Sequence, residues 1–330
     1  MCIVESFPST VTVAVLDTAL ADRELHATRA VVASATAMTA VVRFCIGHLI
    51  SPLMELLGPA AVMLFSALEN ANIGISFKEH RRMVDLEIDD GLAVVTIDRP
   101  NARNAISLDT MDQLEKALDA AAGAQALVIK GAGERAFVSG GDLKELSALR
   151  TEEDAAAMAR RMRSICDQLA EFPAPVIAAL NGHAFGGGAE VAVAADIRVA
   201  ADDIKIAFNQ VELEIMPAWG GAERLAALVG QGRALLLTGT GNPVDAVDAQ
   251  RIGLVDVVLP RSSFDEGWRS IATKLARHPA NEIKRIIRGV SADEAIAAFA
   301  RLWVADAHWQ AADRVMNRNA KPRPAARGAK

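Results

Sequence analysis

Cysteine is scarce in this chain of 330 residues: Cys2, Cys45 and Cys166 are all there is. Three scattered thiols cannot build a disulfide framework or a zinc site. They read as reduced thiols of a cytoplasmic protein, with Cys166 buried on a helix. The six histidines, at positions 26, 48, 80, 183, 278 and 308, lack ligand spacing, so no metal is expected. No dense stripe of lysine and arginine occurs, and a net charge of −6 argues against a nucleic-acid surface. The apolar stretches at 30–42 and 53–68 fall short of the roughly 20 uninterrupted residues a spanning helix needs, so no membrane span is expected. A basic segment followed by a short apolar run and a cleavage site is missing at the start, so no secretory signal is expected.

What is present is apolar residue, 52% of the chain and much of it alanine, enough for one large domain or two modest ones. Residues 1–82 differ in character from the rest. They read as an N-terminal extension, with three readings open: a poorly ordered segment, a start wrongly placed upstream of Met83, or an appendage for a membrane surface or a partner. From Met83 onward short strands alternate with helices. The β-branched run 92–97 ends at Arg99-Pro100, a strand with its stop signal. Residues 108–122 have helical spacing behind a Ser107 or Asp109 cap. Strands follow at 126–130, 176–180 and 197–199, with an amphipathic helix over 151–172 whose first turn is acidic. These alternations specify an α/β protein. The basic, proline-containing tail 314–330 reads as a solvated end.

Two glycine-rich stretches stand out, about 45 residues apart, each behind an apolar strand-like segment. One is Phe137-Val138-Ser139-Gly140-Gly141-Asp142-Leu143-Lys144-Glu145. The other, Asn181-Gly182-His183-Ala184-Phe185-Gly186-Gly187-Gly188-Ala189-Glu190, runs into an alanine-rich apolar segment. Each offers backbone N–H groups at a polar turn. Two such donors converging on one point can hold a developing oxyanion, and a helix starting at the second stretch would aim its positive end there.

With the segments Arg99-Pro100 to Asn104-Ala105, Pro173 to Gly182, Pro217 to Leu225 and Ala249 to Asp256, these stretches resemble the enoyl-CoA hydratase/isomerase (crotonase) superfamily. The likeness covers almost all of residues 83–330. It implies a crotonase-like spiral of ββα units over 83–263, a C-terminal helical oligomerisation region over 264–330, and a homotrimer or homohexamer. It also implies an acyl-CoA thioester as substrate and no separate cofactor.

Carried over motif by motif, the resemblance assigns the oxyanion donors to Gly141 and Gly187 and the first catalytic carboxylate to Glu190. A CoA-binding segment is implied at Ser139, Asp142 and Leu143, with Arg99 as a phosphate partner. The second carboxylate is where this chain departs. The ungapped register from Pro217 puts Gln210 there, and an amide cannot shuttle a proton at neutral pH. Glu212 compensates if the loop shifts by two residues, and Glu214 is a further alternative. Concerted hydration wants an acid and a base, double-bond migration needs one carboxylate, and decarboxylation needs mainly the oxyanion donors. Hydratase-type chemistry, isomerisation, decarboxylation and non-catalytic acyl-CoA binding therefore all stay open. Trp219 takes a place where the family carries small residues, as an acyl-pocket wall or as core packing.

Overall fold

A computed structural model describes residues 82–318. The expected extension at 1–82, save Arg82, and the end of the basic tail lie outside the described residues. Strands β1 (Val84–Asp89), β2 (Leu92–Ile97), β3 (Ala126–Gly131), β5 (Val176–Leu180), β7 (Ile197–Ala201) and β10 (Val257–Leu259) form a six-stranded sheet in that spatial order. Only β1 runs antiparallel to its neighbour. A second sheet holds β4 (Ala136–Val138), β6 (His183–Phe185), β8 (Lys205–Ala207) and β9 (Val244–Asp245), with β9 antiparallel to β8. Successive strands β3 and β4, β5 and β6, and β7 and β8 fall one in each sheet. The chain therefore winds through both sheets once per repeat, the spiral that the family resemblance implies. Parallel strands covered on both faces read as continuous apolar runs rather than alternating ones. All five residues of β5 are buried, as are five of six in β3.

The helices close each turn. Helix α1 (Leu108–Ala120) starts at Ser107, whose hydroxyl accepts from Thr110 N at 3.2 Å, and buries Met111, Leu114 and Leu118. After the short α2 (Leu143–Leu146), α3 (Glu152–Glu171) is capped by Thr151 and buries Met162, Ile165, Cys166 and Leu169. Burial pushes the Cys166 thiol up to about 12, so it is inert packing. Helix α4 (Gly187–Ala194) has all eight residues buried and lies in the core between the sheets' other helices. Helices α5 (Gly221–Val229), α6 (Gln231–Thr240) and α7 (Ala246–Arg251) precede β10.

Four C-terminal helices follow: α8 (Phe264–Leu275), α9 (His278–Ile287), α10 (Ala292–Trp303) and α11 (Asp306–Arg318). Helix α8 packs Phe264, Trp268 and Ala272 into the core. Helix α9 is tied back by Lys284, whose Nζ donates to Ala174 O at 2.8 Å and pairs with Asp196 at 2.5 Å. Beyond that point large apolar side chains face outward, among them Ile287, Phe299, Trp303 and Trp309.

Candidate active site

The two glycine-rich stretches meet. A methyl group placed on Gly140 would lie 3.3 Å from Gly187 N, so the loop after β4 touches the start of α4. Three consecutive glycines make this contact, each for its own reason. Gly186 caps α4 at φ 54° and ψ −121°, a conformation closed to residues with a Cβ. A Cβ on Gly188 would fall 1.8 Å from Val138 O, so only a bare backbone lets α4 close onto β4. Gly187 is the first helical residue, where N–H groups have no partner within the helix. Neither its N–H nor that of Gly141 meets a backbone acceptor among the described residues.

Buried asparagines brace the loops beneath. Asn104 accepts from Arg99 N at 3.0 Å and donates to Ala136 O at 2.8 Å. Asn181 accepts from Gly131 N at 2.9 Å and donates to Gly133 O at 2.6 Å. Both carboxamides take the place of missing ladder bonds where β3 and β5 turn toward the second sheet.

Glu190 sits one turn into α4 with only 2% of its surface exposed. Its Oε2 accepts from Trp219 N at 2.7 Å and Gly221 N at 3.0 Å, and its Oε1 accepts from Gln210 Nε2 at 2.8 Å. Burial is the largest influence and raises its pKa above the usual carboxylate value; the hydrogen bonds from Gly221, Trp219 and Gln210 oppose that shift without cancelling it. The two amides come from the segment before α5, which is fastened to α3 on its far side. Arg224 donates to Trp219 O at 3.1 Å and pairs with Asp167, and Arg163 pairs with Glu223 at 2.8 Å. Neither amide was legible in the sequence as a ligand of Glu190. Gly220-Gly221 was the only trace, because a Cβ on Gly221 would strike Glu190 Cγ at 2.3 Å.

Gln210 lies in a short 3-10 turn (Asn209–Leu213) and is buried, whereas Glu212 is exposed and accepts from Asn209 Nδ2 at 3.3 Å. Glu214 is exposed at the end of that turn with φ 55°. The structure thus brings Gln210, and neither glutamate, into contact with Glu190. Trp219 is 6% exposed, and its indole covers the glycine pair. A Cβ on Gly187 would meet Trp219 Cζ3 at 2.1 Å, and one on Gly141 would meet Leu146 Cδ1 at 2.9 Å and Trp219 Cζ2 at 4.0 Å. Leu146, absent from the sequence expectations, therefore shares the lining.

Arg99 is engaged rather than free. It pairs with Asp142 at 2.8 Å and Glu145 at 3.2 Å and donates to Ala105 O. Burial works to raise the Asp142 carboxyl, but the Arg99 and Glu145 hydrogen bonds outweigh it and hold the group below its usual range. Asp142 also caps α2, and Leu143 opens that helical turn with 60% of its surface exposed. Ser139 is half-buried, its N–H donating to Arg103 O at 3.2 Å. No group of three or more histidine, cysteine, aspartate or glutamate side chains able to hold a metal occurs among the described residues. Among those residues no helix is long and apolar enough to cross a membrane.

Comparison with known proteins agrees with this architecture. The chain is 38% identical over 197 residues to a probable enoyl-CoA hydratase of Bacillus subtilis, covering 58% of this chain and 76% of that one. It is 36% identical over 221 residues to a short-chain-enoyl-CoA hydratase of Clostridium acetobutylicum, covering 64% and 83%. A crystal structure of enoyl-CoA hydratase from Bacillus anthracis superposes with a TM-score of 0.62 at 30% identity, covering 68% of this chain and 91% of that one. The enoyl-CoA hydratase/isomerase family profile matches residues 87–310, more than half of the chain, which places the protein in that family.

Proposed function

We propose that the protein acts on an acyl-CoA thioester, adding or removing water across the 2,3 double bond. Gly141 N–H and Gly187 N–H hold the thioester oxygen as it gains charge, and Glu190 moves the proton. The observation that supports this reading is the seat of Glu190: an enclosed carboxylate on the helix whose first N–H borders the other glycine loop. Preorganised backbone donors in an enclosed site are worth several kcal/mol at the transition state, because they need no reorganisation as charge develops. A carboxylate whose pKa is raised toward neutrality exchanges protons with carbon more readily than an ordinary one. Arg99, Ser139, Asp142 and Leu143 then line the approach of the CoA moiety, and Trp219 with Leu146 the acyl side. The outward apolar residues of α9 to α11 support assembly into a homotrimer or homohexamer.

Gln210 supports a second reading. With Glu190 the one buried carboxylate beside the glycines, double-bond migration or decarboxylation through the same oxyanion donors remains chemically complete. Purified protein incubated with crotonyl-CoA, a 3-enoyl-CoA and methylmalonyl-CoA distinguishes these. Loss of ultraviolet absorbance of the conjugated thioester marks hydration and its gain marks migration, while released carbon dioxide marks decarboxylation. Tight binding of all three with no product would leave only an acyl-CoA binder.

A further inference from the structure

The run Trp219-Gly220-Gly221 has two faces. On one, the N–H groups of Trp219 and Gly221 point at Glu190 Oε2. On the other, both carbonyls go to a single residue. Arg224 donates Nη1 to Trp219 O at 3.1 Å and its main-chain N–H to Gly220 O at 3.3 Å. The run cannot hold that shape by itself, because two glycines in succession leave φ and ψ nearly free, and Gly220 takes φ 87°. The guanidinium lies over Gly220, where a Cβ would collide with Nη1, and its Nη2 is caught by Asp167 on α3. Helix α3 also packs against α4, which carries Glu190. Arg224 therefore ties the donors of Glu190 to the helix that backs Glu190 itself.

We propose that Arg224 is a positioning residue for the reaction: held by Asp167, it keeps the N–H groups of Trp219 and Gly221 aimed at Glu190 and so fixes where the carboxylate points. This role rests on the thioester reading above, in which Glu190 moves the proton. Arg224 acts only through the main chain of the run and meets no reacting atom. Its planar fork serves Trp219 O and Asp167 at once, a geometry that the single ammonium of a lysine does not reproduce. Arg163 adds a second link between α3 and α5 through Glu223, but among the described residues it bonds to neither carbonyl of the run.

The test uses variants of the full chain and whichever thioester of the panel above the parent turns over. Arg224→Ala should lower kcat by about 10²-fold, the cost of a displacement on the order of 1 Å at a catalytic group. KM should stay close to the parent's, because the N–H groups of Gly141 and Gly187 are untouched. Arg224→Lys should recover part of the loss. Arg161→Ala is the control: Arg161 lies on the same helix but ties it to α1 through Asp112 and Glu115, so melting should fall while kcat holds. Burial raises the Glu190 pKa and the two amides oppose it, so loosening them and removing a nearby cation should move the acid limb of the Arg224→Ala pH–rate profile to higher pH. The other groups around Glu190 stay in place: Arg163 and Asp167 of α3, Glu223 of α5 and Glu212 of the Gln210 turn, with the Cys166 thiol at about 12 and silent. Amide hydrogen exchange over residues 217–222 needs no substrate, and protection there should fall in Arg224→Ala and hold in Arg161→Ala. Unchanged exchange, a kcat and acid limb equal to the parent's, or an equal kcat loss in Arg161→Ala overturns the role of Arg224 and leaves the thioester reading intact. A parent that turns over no thioester overturns that reading instead, and the exchange comparison still decides whether Arg224 holds the run.

Discussion

Glutamine at position 190 tests the site more sharply than alanine does, because the structure predicts opposite outcomes for activity and stability. In Glu190→Gln the carbonyl oxygen can keep the bonds from Trp219 N and Gly221 N, which places the new NH2 against Gln210 Nε2. That donor–donor clash is relieved if Gln210 rotates its amide by half a turn and presents Oε1, the atom that otherwise has no partner. The fold should survive with a melting temperature near that of the parent, while loss of the proton carrier lowers kcat by about 10²–10⁴. In Glu190→Ala two enclosed backbone donors lose their acceptor. At about 1–3 kcal/mol for each unmatched group the loss is about 2–6 kcal/mol. Release of a buried charge moves the result toward the low end. At about 2–4 °C per kcal/mol for a domain of this size, melting should fall by about 4–24 °C. Calorimetry and steady-state kinetics on the two variants decide the matter. An active Glu190→Gln protein, or a Glu190→Ala protein that melts with the parent, refutes the reasoning.

Gly221→Ala would place a Cβ 2.3 Å from Glu190 Cγ, and the carboxylate must yield. A displacement on the order of 1 Å predicts a drop of about 10²-fold in kcat/KM with a smaller change in melting. Gly188→Ala would press on the Val138 backbone at 1.8 Å, which cannot yield cheaply, so both stability and activity fall, by about 1–3 kcal/mol for the former. Gly123→Ala, with nothing within 4 Å, is the matched control and should melt with the parent. The raised Glu190 pKa acts on rate and on stability in opposite directions of pH. A rate that needs the carboxylate ionised should fall, as pH drops, through a single limb lying above 4.5. The fold binds that proton more tightly than the unfolded chain does, so stability is fullest on the acid side. It is lost as pH rises from 4.5 through the raised value, a slope that Glu190→Gln should remove. Gln210→Glu would set two carboxylates in hydrogen-bond contact, so the pair retains a proton to higher pH and the pH–rate profile gains a second limb.

Much of the fold was legible because parallel strands buried on both faces write themselves as β-branched and alanine runs. Residues 92–97 and 176–180 carry their boundaries unchanged into β2 and β5. Strand β7 runs two residues past its expected end at 199, since Ala200 and Ala201 pair with Val258 and Leu259 of a strand far along the chain. The glycine loops were legible as loops, and their meeting followed from the pairing of two such stretches. The partners of Glu190 were not, because two of three are backbone amides and any residue carries one. The ion pairs of Arg99 with Asp142 and Glu145 were not legible either, because they are set by α2, a turn too short to leave a periodic signal.

The groups that hold Glu190 are all neutral: two main-chain amides and one carboxamide. A cation in any of those places would pull the carboxyl pKa down and leave a weak base. Neutral donors instead orient both oxygens while burial keeps the charge uncomfortable, so the group stays close to accepting a proton. Substitution of an amide for a second acid fits that balance. A neighbouring carboxylate would need a proton of its own at neutral pH, whereas Gln210 supplies the same hydrogen bond with no titration to share. Within this hydrogen-bonded group, then, a single ionisable side chain sets the charge.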